Sequence, residues 1–160
     1  MLFKGIAHVS HPGPMTGVGA VKSYDDSNIF AKILRGEIPC HKVYETGKAL
    51  AFMDIMPRGD GHVLVIPKTK ARNILDVPAD DLADLMRAVQ VVSKGVVEAF
   101  EAHGLTIQQF NEPAGGQVVF HLHFHVIPRW EGIPLKPHSG ALEKPEILSA
   151  HAEKLRNSLG

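Results

Sequence analysis

The heptapeptide HLHFHVI, residues 121–127, alternates histidine with apolar residues over its first six positions. Successive side chains of a β-strand point to opposite faces, so the alternation predicts a strand. His121, His123 and His125 then share one face, roughly 6.5–7 Å apart, while the residues between them face the core. Each imidazole brings two ring nitrogens that need partners, so three in a row indicate a site for chemistry rather than ordinary packing.

One interpretation of this histidine face is a metal site. Neutral imidazole is a common zinc ligand, and two histidines two positions apart on a strand can share one ion. The third histidine of the row lies too far along the strand to complete a compact coordination shell, and His62 is available as a further ligand. This interpretation predicts a zinc-dependent hydrolase.

The other interpretation is nucleophilic catalysis. An imidazole can attack phosphorus and form a covalent intermediate, which divides one difficult displacement into two easier steps. The flanking histidines then orient the ring and supply protons near neutral pH. The loop Gly115-Gly116-Gln117 precedes the histidines and brings backbone N–H groups and a side-chain amide as donors for phosphate oxygens.

The rest of the sequence predicts an α+β domain with an antiparallel sheet, in which two hairpin-like strand pairs flank one long helix. The predicted helices are a short one with Ser27 as N-cap and Gly36 as its stop, a long one from Pro78 to Gly104, and a last one over 145–158. Strands are predicted to start at Val43 and to cover residues 49–53, 62–66 (a central strand), 105–111 and 118–127, the last ending at Pro128.

The composition excludes several classes of protein. Seventeen basic residues balance seventeen acidic ones, which argues against a nucleic-acid partner held by bulk charge. Cys40 is the only cysteine, so neither an internal disulfide nor a thiolate metal cluster within one chain is possible. No apolar run approaches the roughly 18 residues that span a bilayer, so we expect no membrane partner and a cytoplasmic protein.

Three segments are expected along the chain. Residues 1–26 carry several glycines and prolines without an apolar period, which is typical of a poorly ordered tail. Residues 27–130 are expected to form the domain that carries the histidines. Residues 131–160 are expected to be a C-terminal extension that contains the last helix.

Residues 121–127 resemble the signature of the histidine triad (HIT) family, in which three histidines alternate with apolar residues, and they match it at every position. The resemblance covers residues 27–130 and implies a HIT-like antiparallel sheet with one long helix and a short N-terminal helix. It also implies a homodimer whose sheet continues across the interface. The other segments that carry the similarity are 29–39, 51–55 and 61–68, and the match is completed by 111–129, which contains the signature.

The resemblance implies a role for each histidine. His123 would be the nucleophile that attacks the α-phosphorus of a purine nucleotide derivative. His121 and His125 would flank it, and His62 would approach from the neighbouring strand. The implied function is a nucleotide hydrolase or nucleotidyl transferase that acts on dinucleoside polyphosphates or nucleoside phosphoramidates through a covalent nucleotidyl-histidine. It requires no metal and no cofactor.

The resemblance also implies which residues bind the substrate. Asp54 would accept hydrogen bonds from the ribose hydroxyls. Contacts to phosphate and its surroundings would come from Asn111, Gln117 and the backbone of Gly116 and Val118. The purine pocket would be lined by Ile29, Phe30, Ile33, Phe52 and Ile55.

Two positions depart from the family pattern. Many members carry half of a structural zinc site as Cys-x-x-Cys where this chain has Asn28 and Ala31, so that zinc site is expected to be absent. Members that cleave phosphoramidates often have serine or threonine where this chain has Val118. Its side chain has no hydroxyl to assist the leaving group, so phosphoramidates are less favoured. A nucleotide-binding protein with vestigial catalysis is the remaining alternative.

Overall fold

The computed structural model describes residues 22–137 and 140–160, so most of the predicted tail lies outside the described residues. The helices in these ranges are α1 (Ile29–Leu34), α2 (Ala79–Phe100) and α3 (Pro145–Leu159). The strands are β1 (Lys42–Glu45), β2 (Ala49–Met53), β3 (Val63–Pro67), β4 (Gly104–Gln108) and β5 (Phe124–Arg129). None of the described helices is long and apolar enough to cross a membrane.

The described strands form one antiparallel sheet with the order β1-β2-β3-β5-β4. The antiparallel pairs β2–β3 and β4–β5 flank α2 in the sequence, which confirms the predicted α+β class. β3 is the central strand and is buried at every position, as its apolar run predicts. α3 begins at Pro145, where the last helix was expected.

The sheet separates two hydrophobic clusters of different size. The larger cluster lies against α2 and α3 and includes Val63 and Val65 of β3. The smaller cluster includes Leu64 and Ile66 of β3 together with Phe30 of α1. Alternate residues of β3 therefore face different clusters, and burial on both faces explains why this strand is apolar throughout.

The histidine-bearing strand begins later and ends later than predicted. The prediction of a strand over 118–127 is wrong at both ends, because β5 starts at Phe124 and continues through Pro128. Pro67 closes β3 without an N–H group, and its carbonyl oxygen accepts from the ring of His121 rather than from a ladder partner. Leu122 N–H likewise donates to Ala71 O at 2.8 Å.

The apolar face of residues 121–127 is nevertheless arranged as the alternation predicts. Leu122, Phe124 and Val126 all belong to the larger cluster. Leu122 takes this position although it precedes the strand. The apolar side chains thus fix which way the histidines face even where no ladder hydrogen bonds form.

The short helix α1 is capped one residue later than predicted. Asn28, not Ser27, is the N-cap, and its Oδ1 accepts from the backbone N–H groups of Phe30 (3.0 Å) and Ala31 (2.9 Å). Both residue types cap helices well, so the sequence alone favours neither. The predicted stop is correct, because the helix ends just before Gly36, which has a φ of 76°.

The long helix α2 ends before the predicted Gly104, which instead begins β4. Glu101 takes the left-handed conformation at the end of the helix, with a φ of 48°. Trp130 Nε1 donates to the carbonyl oxygens of Phe100 (3.3 Å) and Glu101 (3.2 Å), which accept from no backbone N–H within the part of the chain that the structure describes. A distant side chain therefore completes the helix end where glycine was expected to do so.

Gly61, immediately before His62, is required by both its backbone and its surroundings. Its φ is 76°, and a Cβ placed on it would lie 2.8 Å from the ring of Phe100. Gly36 has the same φ but nothing within 4 Å of such a Cβ. Alanine substitutions at the two glycines can therefore distinguish the cost of backbone strain from the cost of steric overlap.

We expect Gly61→Ala to lower the free energy of unfolding by about 2–4 kcal/mol, because strain and overpacking add. Gly36→Ala carries the strain alone and should cost about 1–2 kcal/mol. Urea unfolding of both variants measures the difference. Equal losses would show that the Phe100 ring moves aside without cost.

Candidate active site

A cavity of about 580 Å³ opens beside the smaller cluster. Its volume lies within the roughly 300–1,000 Å³ typical of sites for small molecules. The polar residues expected at the site that line it are Asp54, His62, His123 and His125. All five residues expected to contact the purine line it as well, namely Ile29, Phe30, Ile33, Phe52 and Ile55.

His123 lines this cavity, and one of its ring nitrogens is hydrogen-bonded to the backbone. Its Nδ1 lies 2.6 Å from the carbonyl oxygen of His121, and because a carbonyl only accepts, Nδ1 carries the proton. In the neutral ring the lone pair is then on Nε2. Burial lowers the pKa of His123, which favours this neutral form. The residue is thus a neutral base with one nucleophilic nitrogen.

His121 supports the site without lining the cavity. Its ring is fully buried, and Nε2–H donates to Pro67 O at 2.9 Å. Its Nδ1 therefore accepts, and the hydroxyl of Tyr24 donates to it at 2.5 Å. Burial lowers the pKa of His121 to about 4. A ring held neutral in this way fixes the position of the carbonyl that orients His123.

His62 and His125 form a second ordered pair. The backbone N–H of Arg58 donates to Nδ1 of His62 at 3.0 Å, so the proton of that neutral ring is on Nε2. Nε2–H then donates to Nδ1 of His125 at 2.9 Å. Neutral His125 consequently carries its own proton on Nε2. The ring centroids of His123 and His125 are 5.1 Å apart, so a lone pair and a donor lie on adjacent rings.

Asp54 lies at the same end of the cavity. One carboxylate oxygen accepts from the backbone N–H of Met56 at 2.8 Å. The other lies 3.5 Å from Nε2 of His62 and 4.0 Å from Nδ1 of His125. Burial raises the pKa of Asp54 from 3.8 to about 6, so the side chain is an anionic acceptor at neutral pH.

The cluster of Asp54, His62 and His125 does not fit a zinc ion in its present hydrogen-bond arrangement. Their ligand atoms all lie within 4.8 Å of one another, which is compact enough for a metal. Zinc would need the lone pair of His62 Nε2. The Arg58 N–H group donates to Nδ1 of the same ring, so the ring proton is on Nε2 and that nitrogen has no lone pair to offer. The zinc-dependent interpretation therefore conflicts with the backbone contact of this histidine.

The side chains of Gln117 and Asn111 do not line the cavity. Gln117 donates both amide hydrogens to carbonyl oxygens, of Arg72 at 2.7 Å and of Val119 at 3.0 Å. Asn111 accepts from the backbone N–H of Ile74 at 3.0 Å and pairs with a neighbouring side chain. Both residues hold loops together, so the expected side-chain contacts with phosphate conflict with their present hydrogen bonds.

The backbone donors expected in the glycine loop are mostly occupied. Gly116 N–H donates to Pro113 O at 3.0 Å, and Gln117 N–H donates to Glu112 O at 3.0 Å. Among the described residues, none accepts a hydrogen bond from the backbone N–H of Val118. Gly116 and Val118 both line the cavity, and Val118 is 84% exposed. Val118 N–H is therefore a loop donor at the cavity that has no acceptor among the described residues.

Sequence reasoning missed three contributors to the site. Tyr24 falls in the segment expected to be a tail, and nothing local distinguishes it from a solvent-exposed tyrosine. Arg58 acts through its backbone N–H group, and the residue type does not indicate such a contact. Phe110 lines the cavity and packs edge-on against His125, with ring centroids 5.8 Å apart.

The model of the HIT domain family matches residues 35–132, more than half of the sequence. That range contains the cavity histidines and all of the sheet strands. The chain therefore belongs to the histidine triad family.

Known relatives are similar over most of the chain. The adenylylsulfatase HINT3 of Arabidopsis thaliana is 33% identical over 162 residues, which cover 86% of this chain and 82% of that protein. The adenosine 5′-monophosphoramidase hnt1 of Schizosaccharomyces pombe is 37% identical over 121 residues, covering 69% of this chain and 88% of that protein. A crystal structure of a Hit-like protein involved in cell-cycle regulation from Bartonella henselae is 50% identical, with a TM-score of 0.80, covering 85% of this chain and 99% of that one.

The shifted pKa values affect stability in opposite directions. The pKa of His121 falls from 6.5 to about 4, so the unfolded chain binds more protons in this window and stability is lost as the pH falls through it. The pKa of Asp54 rises from 3.8 to about 6, so the folded chain binds more protons and stability is gained as the pH falls through that range. The two contributions partly cancel.

Asp54→Asn removes the contribution of Asp54 to the pH dependence of stability and leaves that of His121. Between about pH 6 and pH 4 we expect the free energy of unfolding of this variant to fall more steeply than that of the wild type. The difference should reach up to about 1.4 kcal/mol per pH unit. Urea unfolding at several pH values in this range measures both slopes. Identical slopes would contradict the raised pKa of Asp54.

Proposed function

We propose that this chain is a nucleotide hydrolase or nucleotidyl transferase that acts at the α-phosphorus of purine nucleotide derivatives through a covalent nucleotidyl-His123 intermediate. The observation that carries the proposal is the bond from Nδ1–H of His123 to the carbonyl oxygen of His121, 2.6 Å long. It leaves Nε2 as the nucleophilic atom of a residue that lines the cavity.

The substrate contacts both the apolar wall and the polar wall of the cavity. The purine lies among the apolar residues of α1 and β2, where flat aromatic rings such as Phe30 and Phe52 supply contact area. The Asp54 carboxylate accepts hydrogen bonds from the ribose hydroxyls. This orientation directs the α-phosphate toward the histidines.

In the first step Nε2 of His123 forms a bond to the α-phosphorus while the bond to the leaving group breaks. The leaving group departs with the bonding electron pair, and the His123 ring becomes positively charged. The His121 carbonyl stabilises that charge through Nδ1–H. The Nε2–H group of His125 and the backbone N–H of Val118 donate to the phosphate oxygens.

In the second step water attacks the same phosphorus. The bond to His123 breaks, its electron pair returns to Nε2, and the proton of the water is released to solvent. A nucleoside hydroxyl or phosphate in place of water gives nucleotidyl transfer.

The named relatives support this class of substrate. One is an adenylylsulfatase and another is an adenosine 5′-monophosphoramidase, and both hydrolyse derivatives of adenosine nucleotides. In this chain Val118 provides no hydroxyl near the leaving group. Leaving groups that depart as stable anions, such as the phosphates of dinucleoside polyphosphates, therefore fit better than amines. No described residue that the chemistry requires is missing, which argues against vestigial catalysis.

We expect His123→Asn to lower kcat by at least about a thousandfold while AMP affinity changes little, because asparagine keeps a polar side chain but has no nucleophilic nitrogen. Turnover of dinucleoside polyphosphates and adenosine phosphoramidate, with calorimetric titration of AMP, measures both. His103→Asn, outside the cavity, is the control and should keep full activity. A His123→Asn protein that retains substantial turnover would rule out the nucleophilic role.

We further propose that two copies pair through β4 to form a homodimer with a continuous sheet. β4 is an edge strand, and an edge strand presents unpaired backbone donors and acceptors to a second chain. Ile107 on this strand is 47% exposed. The opposite edge is less open, because Arg156 of α3 donates to the carbonyl oxygen of Lys42 in β1.

Ile107→Lys should convert the dimer to a monomer, because a charge would be buried at the pairing edge. Ile147→Lys on α3, a site 37% exposed and outside the sheet, is the matched control. Sedimentation equilibrium gives the mass of each. A wild-type monomer, or an Ile107→Lys dimer of unchanged affinity, would refute pairing through β4.

A further inference from the structure

The loop before the histidines contains one strained residue. Glu112 has a φ of 61° and a ψ of 163°, a backbone region that essentially only glycine occupies without cost. Its carbonyl oxygen accepts from the N–H groups of Gly115 (2.9 Å) and Gln117 (3.0 Å), which closes the turn over Pro113–Gly115. Such a conformation persists only where surrounding contacts impose it.

Arg72 supplies two of those contacts, and the side chain of Gln117 supplies another by accepting from the Glu112 N–H at 2.8 Å. The Nε and Nη2 of Arg72 donate to the two carboxylate oxygens of Glu112 at 2.6 and 2.9 Å, in the two-pronged geometry that fixes both position and direction. Asn73 Nδ2 donates to the same carboxylate at 2.9 Å. Arg72 is only 7% exposed whereas the Glu112 side chain is 34% exposed, so water reaches this ion pair from the carboxylate side alone.

The same residue also touches the other end of the loop. The Arg72 guanidinium lies 3.9 Å from the ring centroid of Phe120, the residue that precedes His121. The Arg72 carbonyl oxygen accepts from the Gln117 side chain at 2.7 Å in the middle of the loop. One arginine thus holds the loop at its start, its middle and its end.

We propose that Arg72 is a positioning residue: through Glu112 and Phe120 it holds the loop so that Val118 N–H and the His121 carbonyl keep their places around His123. The proposal rests on the proposed function for its kinetic consequence only. The loop reaches the cavity at Gly116 and Val118. A displacement of about 1 Å at such a point can cost roughly a hundredfold in rate.

An ordinary structural ion pair would behave differently. Its loss would lower stability and leave kcat of the folded fraction unchanged. Loss of a positioning residue lowers kcat more than it raises KM, because the affected contacts are those made in the transition state. Two variants separate these roles. Arg72→Lys keeps the charge but loses the two-pronged geometry, and Glu112→Gly removes the carboxylate while relieving the strained backbone.

We expect both variants to lower kcat by about ten- to a hundredfold, with KM and AMP affinity within about twofold of the wild type. Arg35→Lys is the matched control, because Arg35 grips Glu37 with the same two nitrogens at 2.8 and 3.1 Å on the exposed surface. It should leave kcat unchanged. Glu112→Gly should unfold at a temperature close to that of the wild type, since relieved strain offsets the lost ion pair.

Amide hydrogen exchange tests, without any substrate, whether Arg72 holds the loop in place. The N–H groups of Gly115 and Gln117 should exchange at least about tenfold faster in Arg72→Lys and Glu112→Gly, while the amides of β3 stay protected. Unchanged exchange or unchanged kcat in folded variants would overturn the proposal. If the wild type turns over no nucleotide, the proposed function fails. The exchange rates then support the grip on the loop if protection is lost, and refute it if protection is retained.

Discussion

The hydrogen bond from Nδ1–H of His123 to the carbonyl oxygen of His121 is the contact on which the proposed chemistry of this chain depends. It fixes which ring nitrogen carries the lone pair, and burial keeps the ring neutral by lowering its pKa. In the proposed mechanism it also offers an acceptor for the charge that would form on the ring when Nε2 bonds to phosphorus. A free histidine has neither a defined tautomer nor this support.

Backbone groups, not ionic partners, set the state of three of the four histidines at the site, and the ring of His62 sets that of His125. The carbonyl of Pro67 holds His121, the carbonyl of His121 holds His123, and the N–H of Arg58 holds His62. These groups lie at the end of β3, before β5, and in the loop between β2 and β3. The arrangement is therefore a product of the sheet and its loops, and it leaves room in the cavity for the purine nucleotide that we propose as substrate.

The sequence predicted the features that depend on local pattern and missed those that depend on distant partners. Alternation predicted the core-facing residues around His123, and the resemblance to the histidine triad family predicted the residues of the cavity wall. The start of β5, the orientation of Gln117 and the contact between Arg72 and Glu112 are set by other segments of the chain. The Asn28 cap shows a further limit, because adjacent residues of equal capping propensity cannot be ranked without coordinates.

The stereochemical course at phosphorus tests the covalent role of His123 most directly. A nucleotide derivative with a single sulfur on the α-phosphorus, of known configuration, is hydrolysed in ¹⁸O-labelled water, and the configuration of the product is determined. Two successive in-line displacements, first by Nε2 and then by water, give overall retention. Inversion would mean that water attacks the phosphorus directly and that His123 is not the nucleophile.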